Sequence, residues 1–241
     1  MAPGQYSVDP TKHTLQPIVT GATVIGMKYN GGVLVAADTL ASYGSQARFK
    51  DVCRLKKVGK YTLLGASGEL SDFQYLGDLL DELDEEDFLH EDGCSMGPHE
   101  YSSYIGRVMY NRRSKMNPLF NQLVVVGKKK DAAPMLTYVD HQGTAYEDDF
   151  CATGFGSYLA MPLLRSEWRP DISLADAKAL LVKCLQVCFY RDARAFNKIR
   201  IGTCDGETVT IEEPFAMAHK WDHSMWLKKN LESKEIATGS W

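Results

Sequence analysis

The chain has 241 residues, 44% of them apolar and 24% charged, an ordinary globular composition long enough for one large domain with a well-buried core. Its formal net charge of −4 leaves no basic footprint for nucleic acid; Lys128, Lys129, Lys130 and the Arg112-Arg113 pair are short and read as solvated turns. No run approaches the roughly 18 consecutive apolar residues that a membrane span needs, so neither nucleic acid nor membrane is an expected partner.

Residues 1–21 are polar, contain Pro3, Pro10 and Pro17, and lack the apolar stretch of a secretory leader. Residues 22–29 then alternate: Thr23, Ile25, Met27 and Tyr29 share one face, and Ala22, Val24, Gly26 and Lys28 the other, as in a strand. Asn30-Gly31-Gly32 is a hairpin signal. Residues 33–37 are an unbroken apolar run ending at Asp38, which predicts a strand covered on both faces. Further strands are expected at 61–64, 123–126, 135–139, 146–152, 199–203 and 208–213. Three helices are predicted by period. Leu76, Leu79, Leu80 and Leu83 form the first stripe, and Tyr101, Tyr104, Ile105 and Val108 the second. Ala177, Leu180, Leu181, Cys184 and Cys188 form the third, opened by Ser173 with Asp176 three residues on. A short helix is expected after Gly156, with Pro162 confined to its first turn. The acidic stretch 78–92 reads as a helix end and a solvated loop.

About ten strands in blocks separated by helices suit two face-to-face sheets with helices outside, in one domain. After Pro214 the periodicity weakens. That tail, residues 214–241, holds three of the four tryptophans, Trp221, Trp226 and Trp241, which points to docking on a neighbour rather than to a core of its own.

Several motifs invite chemistry and fail on spacing. Thr153-Gly154-Phe155-Gly156-Ser157 lacks the third glycine of a dinucleotide loop, so a tight turn is the better reading. His219 and His223 are four apart but have neither the glutamate of a zinc-protease helix nor a third ligand; no metal is expected. Ser67-Gly68 lacks the spacing of a nucleophile elbow. Asp38, Asp140 and Asp192 could pair for acid–base work, but spacing alone does not bring them together. The six cysteines, Cys53, Cys94, Cys151, Cys184, Cys188 and Cys204, form no CxxC pair; Cys184 and Cys188 read as core thiols. Scattered thiols and no leader create the expectation of an intracellular, reducing compartment. No cofactor is implied.

Several blocks resemble beta subunits of the proteasome core (20S) particle. GGVLVAADTLAS (31–42) is similar to that family's second strand and its aspartate, LLGASGELSDFQYL (63–76) to its strand-to-helix junction beside the cleft, and YRDARAFN (190–197) to its Tyr-Arg-Asp-Ala turn. SYGSQARF (42–49), RRSKMNPL (112–119) and TGFGSYLAMPLLR (153–165) are more specific and resemble the subunit at the seventh ring position. The resemblance implies an α+β fold, the four-layer αββα sandwich of N-terminal-nucleophile hydrolases. It divides the chain into a propeptide-like extension (1–21), a beta-subunit domain (22–213) and a C-terminal tail (214–241) that contacts neighbours. It also implies partners, namely other beta subunits of the same and the opposite ring and alpha-ring subunits, and residence in cytoplasm and nucleus.

In that family autolysis after a glycine frees an N-terminal threonine, whose hydroxyl attacks while its own amine, titrating at about 7.7–8.0, accepts the proton. Counting back from Gly32 and Asp38, the nucleophile position falls on Ala22, directly after Gly21. Alanine has no hydroxyl. Thr23 points to the other face of a strand, and Thr20 is two residues away, roughly 6–7 Å, where attack tolerates about an ångström. The resemblance also places Arg54 at the family's active-site lysine, Phe155 and Ala195 at two supporting serines, and Gly68 at the oxyanion-stabilising glycine, while Asp38 and Asp192 persist. Arginine keeps the charge but is essentially never deprotonated. The sequence therefore predicts a non-catalytic subunit with no catalytic residue, a degenerate site at Ala22, Asp38, Arg54, Phe155, Asp192 and Ala195, and a structural role in the ring. The alternatives are an active threonine peptidase using Thr23 or Thr20, and a free-standing binding protein or scaffold on the same fold.

Overall fold

A computed structural model describes residues 16–91 and 93–222. In chain order the first strands are β1 (Val19–Gly21), β2 (Val24–Tyr29), β3 (Gly32–Asp38), β4 (Ala41–Tyr43), β5 (Gln46–Phe49), β6 (Leu55–Val58) and β7 (Thr62–Glu69). Helices α1 (Leu70–Leu89) and α2 (Pro98–Ser114) follow, then β8 (Asn121–Gly127), β9 (Met135–Val139), β10 (Ala145–Glu147) and β11 (Phe150–Ala152). The chain continues through α3 (Gly156–Leu159), α4 (Met161–Glu167) and α5 (Leu174–Arg191) to β12 (Lys198–Cys204), β13 (Val209–Ile211) and β14 (Phe215–Ala216).

The strands form two antiparallel sheets. The first runs β10-β9-β8-β7-β1-β4-β5, with β6 also on β7; the second runs β11-β2-β3-β12-β13, with β14 also on β12. Val24, Val35, Leu63, Val124 and Val126 fill the space between them. Outside the first sheet, Phe73, Leu76 and Leu80 of α1 and Tyr101 and Ile105 of α2 pack on Leu64, Leu123 and Val125. Outside the second, Leu181, Cys184 and Cys188 of α5 pack on Ile25, Met27 and Leu34. The layers are thus α, β, β, α, the expected sandwich.

Period-2 alternation places these side chains. Ile25 and Met27 turn to α5, whereas Val24 and Gly26 turn to the opposite sheet. A methyl at Gly26 would lie 2.7 Å from Val124 Cγ1, so glycine lets the sheets approach. Each buried Leu or Val in these layers contributes about 1.5–3 kcal/mol relative to exposure. The Asn30-Gly31 turn closes the β2–β3 hairpin, pairing Tyr29 with Gly32, and Gly31 takes φ +109°. The Ser173 hydroxyl accepts the Asp176 N–H at 3.2 Å and caps α5.

The structure differs from the sequence reading in several places. The single strand expected at 146–152 is two strands in different sheets, because β10 pairs with β9 and β11 with β2; the polar Asp148-Asp149 pair is the crossing. The helix after Gly156 breaks at Ala160, and Pro162 lies in the first turn of α4. β1, β4, β5, β6 and β14 were not anticipated, being two to four residues long. Two of them fall outside the 22–213 span: β1 lies inside the first sheet, and β14 pairs Phe215 with Ile199. Trp221 packs edge-on against Phe189 and Tyr190 of the chain's own α5, at 5.7 and 5.0 Å between centroids, and still leaves 62% of its surface exposed. Trp226, Trp241 and the rest of the tail from 223 lie outside the described residues, as do residues 1–15.

Candidate functional site

At Ala22-Thr23 the chain leaves the first sheet (β1) and enters the second (β2). A cleft of about 800 Å³ opens beside this crossing. Thr20, Gly21 and Ala22 line it on one side, Ser67, Gly68, Phe120, Asn121 and Gln122 from the ends of β7 and β8 on another, and Phe155, Arg191, Asp192 and Arg194 across the mouth.

Arg54 holds the crossing in place. Its side chain is 2% exposed and forms an ion pair with Asp38, itself buried. Its remaining donors reach four carbonyls: Asp38 O at 3.1 Å, Ala22 O at 3.1 Å, Ala66 O at 3.1 Å and Thr23 O at 3.0 Å. A planar five-donor fork suits this set; a lysine ammonium has three donors. Burial pushes the Asp38 carboxyl above the usual carboxylate range, and the Arg54 guanidinium and the Phe196 N–H, which donates at 2.9 Å, offset only part of that rise. Gly21 has to be glycine, because a Cβ there would fall 2.3 Å from Arg54 Cδ. The guanidinium at this position is a structural tie. It has no proton to take up.

The two spare threonines differ in placement. Thr23 is 2% exposed, and its hydroxyl accepts the Gly156 N–H at 2.9 Å, away from the cleft. Gly156 must approach this closely: a Cβ would meet Thr23 Cγ2 at 2.2 Å. Thr20 does line the cleft, but it sits inside β1, paired with Ser42 on one side and Glu69 on the other.

Gly68 adopts φ +90°, and a Cβ would lie 2.0 Å from the Phe120 carbonyl oxygen, so only glycine fits there. Phe155 lines the cleft, 62% exposed, with its ring edge-on to Tyr158 at 6.4 Å. Asp192 also lines it; its carboxylate accepts the Arg194 N–H at 2.9 Å and its carbonyl accepts the Ala195 N–H at 3.2 Å, which shapes the turn after α5. Ala195 itself is not among the lining residues. The expected trio of acids does not assemble. Asp192 is close enough to add to the cost of ionising Asp38, but Asp140 folds its carboxylate onto the N–H groups of Gln142 and Thr144, both at 2.8 Å, in the β9–β10 turn.

Sequence reasoning missed two residues that organise this region. Asn121, 1% exposed, donates to the carbonyls of Ser67 at 3.1 Å and Glu69 at 2.8 Å. Glu69 places its carboxylate on the N–H groups of Ile18 and Val19. Both act across separations of about fifty residues, which leave no local pattern.

The family model for proteasome subunits matches residues 18–204, most of the chain and every element of the cleft. The chain belongs to the proteasome subunit family. It is 45% identical over 233 residues to proteasome subunit beta type-4 of Arabidopsis thaliana, covering 97% of this chain and 93% of that protein. To the beta type-4 subunit of Xenopus laevis it is 45% identical over 227 residues, 92% of this chain and 93% of the other. To beta type-7 of Saccharomyces cerevisiae it is 39% identical over 230 residues, 91% and 86%.

Among the described residues no cluster of His, Cys, Asp and Glu could hold a metal ion, and no helix is long and apolar enough to cross a membrane. His219 packs edge-on to Phe189 at 5.4 Å, and its proposed partner His223 lies outside the described residues.

Proposed function

We propose that this chain is a non-catalytic, structural subunit of the beta ring of the proteasome core particle. The observation that carries the reading is Ala22: the position that should bear the nucleophile carries a methyl group, in a cleft where the Ser67, Asn121, Gln122 and Asp192 side chains bond to backbone groups. An acyl transfer by this family's chemistry needs a hydroxyl, a free amine beside it and a group able to pass a proton. Ala22 removes the first. In this reading the chain stays uncut after Gly21, so the second never forms. Arg54 withholds the third.

In this reading the chain occupies the seventh ring position, contacts beta subunits of its own and the opposite ring and subunits of the alpha ring, and works in cytoplasm and nucleus. It forms part of the wall of the chamber that degrades ubiquitin-targeted proteins and meets substrates only as that wall. Family membership and the beta type-4 and type-7 relatives support the assembly role. The test is the intact mass of this chain from the purified particle after treatment with an electrophile directed at N-terminal threonines. An unmodified chain, continuous through residues 18–23, is expected. An adduct, or a mature terminus at Thr20 or Thr23, sinks the reading.

A further inference from the structure

β1 is three residues long, yet it sits in the interior of the first sheet. Val19, Thr20 and Gly21 pair with Tyr43, Ser42 and Ala41 on one side, and Thr20 and Gly21 pair with Glu69 and Gly68 on the other. Among the described strands, the β4–β5 hairpin joins the rest of its sheet only through β1. Little burial holds so short a strand: Ile18 is 50% exposed, and Val19, Thr20 and Gly21 are only half-buried. Something else must keep it seated.

Two oppositely charged side chains grip it from its two ends. At the entry, the Glu69 carboxylate accepts the Ile18 N–H and also the Val19 N–H, the latter at 3.1 Å to Oε2 and 3.3 Å to Oε1. At the exit, the Arg54 guanidinium donates to the carbonyls of Ala22 at 3.1 Å and Thr23 at 3.0 Å. A carboxylate can only accept and a guanidinium can only donate, so each is matched to the backbone group the strand presents there. Glu69 is 8% exposed and its own position is fixed: its N–H donates to Phe120 O at 2.9 Å, its carbonyl accepts from Asn121 at 2.8 Å, and Ser71 Oγ donates to its carboxylate at 3.1 Å.

We propose that Glu69 is a latch that keeps residues 18–21 seated as a built-in strand between β4 and β7, so that the chain's own N-terminal segment fills this gap and the Gly21–Ala22 bond stays closed to proteases. With the latch removed, the segment peels from its entry end while Arg54 still holds Ala22 and Thr23. β7 and β8 remain paired, because their register from Thr62 to Gly68 does not involve β1.

The test compares the full chain, in its assembled complex, with Glu69→Gln, which keeps the shape but loses the charge and one acceptor, and with Glu69→Leu, which loses both. The readout is residue-resolved amide hydrogen exchange. Exchange at Ile18 and Val19 is expected to accelerate at least tenfold in Glu69→Gln and more in Glu69→Leu, with the Val124 and Val125 amides of β8 unchanged and a new proteolytic cut appearing between residues 18 and 22. If Glu69→Leu does not fold, Glu69→Gln alone decides. Unchanged exchange at Ile18 and Val19 overturns the proposal, and so does an equal acceleration in β8, which would make Glu69 a general packing residue.

Discussion

Replacing Arg54 by methionine tests the tie at the crossing most directly. The side chain is 2% exposed and makes the Asp38 ion pair as well as bonds to four carbonyls. Methionine fills much of the volume, so the loss is mainly electrostatic. Leaving a buried partner uncompensated costs about 3–5 kcal/mol. The orphaned carbonyls add about 1 kcal/mol, because those nearest the cleft can take water. Against a total stability of about 5–15 kcal/mol, the variant approaches the unfolding threshold. Arg54→Lys keeps the charge but not the fork, and is expected to cost about 1–3 kcal/mol. Arg54→Met with Asp38→Asn removes both charges and should recover at least about 2 kcal/mol of the single-variant loss. Urea unfolding of the full chain, followed by tryptophan fluorescence, reads these differences as midpoint shifts. A loss below about 1 kcal/mol for Arg54→Met, or strict additivity in the double variant, would refute the reasoning, since either means the pair is not the coupled unit described.

Three further outcomes are expected. Ala22→Thr restores a hydroxyl but not activity, because Arg54 cannot pass a proton and Phe155 and Ala195 supply no hydroxyl; a new peptide-cleavage specificity in the assembled particle would contradict this. Gly68→Ala forces a side chain into φ +90° and against the Phe120 carbonyl at 2.0 Å; a loss of about 2 kcal/mol or more should appear in the same urea titration, and a neutral result would mean that the β7–β8 junction is looser than described. Burial raises the thiols of Cys151 and Cys184 to about 12 and of Cys188 to about 11. These groups are protonated, hence unreactive, at pH 8, and become thiolates only as pH climbs towards those values; iodoacetamide should therefore modify exposed Cys53 in the folded chain, and Cys151, Cys184 and Cys188 only after denaturation.

The layers of the fold were legible because each long element carries its period in its own residues. Leu76 and Leu80 mark the buried face of α1, the Asn30-Gly31 turn sets the β2–β3 register, and the all-apolar run of β3 announces a strand covered twice. Short strands were not legible. β1 and β4 are three residues long, too few to show a period, and exist because partners on either side complete their hydrogen bonds. Residues 146–152 were split for the same reason: the three consecutive acids from Glu147 to Asp149 interrupt the run, but only the sheets reveal that the chain changes layers there.

What the sequence by itself determined is the missing hydroxyl at Ala22, since no tertiary arrangement supplies an atom the residue lacks. It also supplied the arginine that cannot release a proton. The tertiary structure decided what those residues do instead. Five acceptors converge on Arg54 from Ala22, Thr23, Asp38 and Ala66, and the Glu69 carboxylate meets the N–H groups of Ile18 and Val19 some fifty residues away. Backbone carbonyls and N–H groups are present at every residue and carry no sequence signature, so only the fold can say which of them a buried charge will hold.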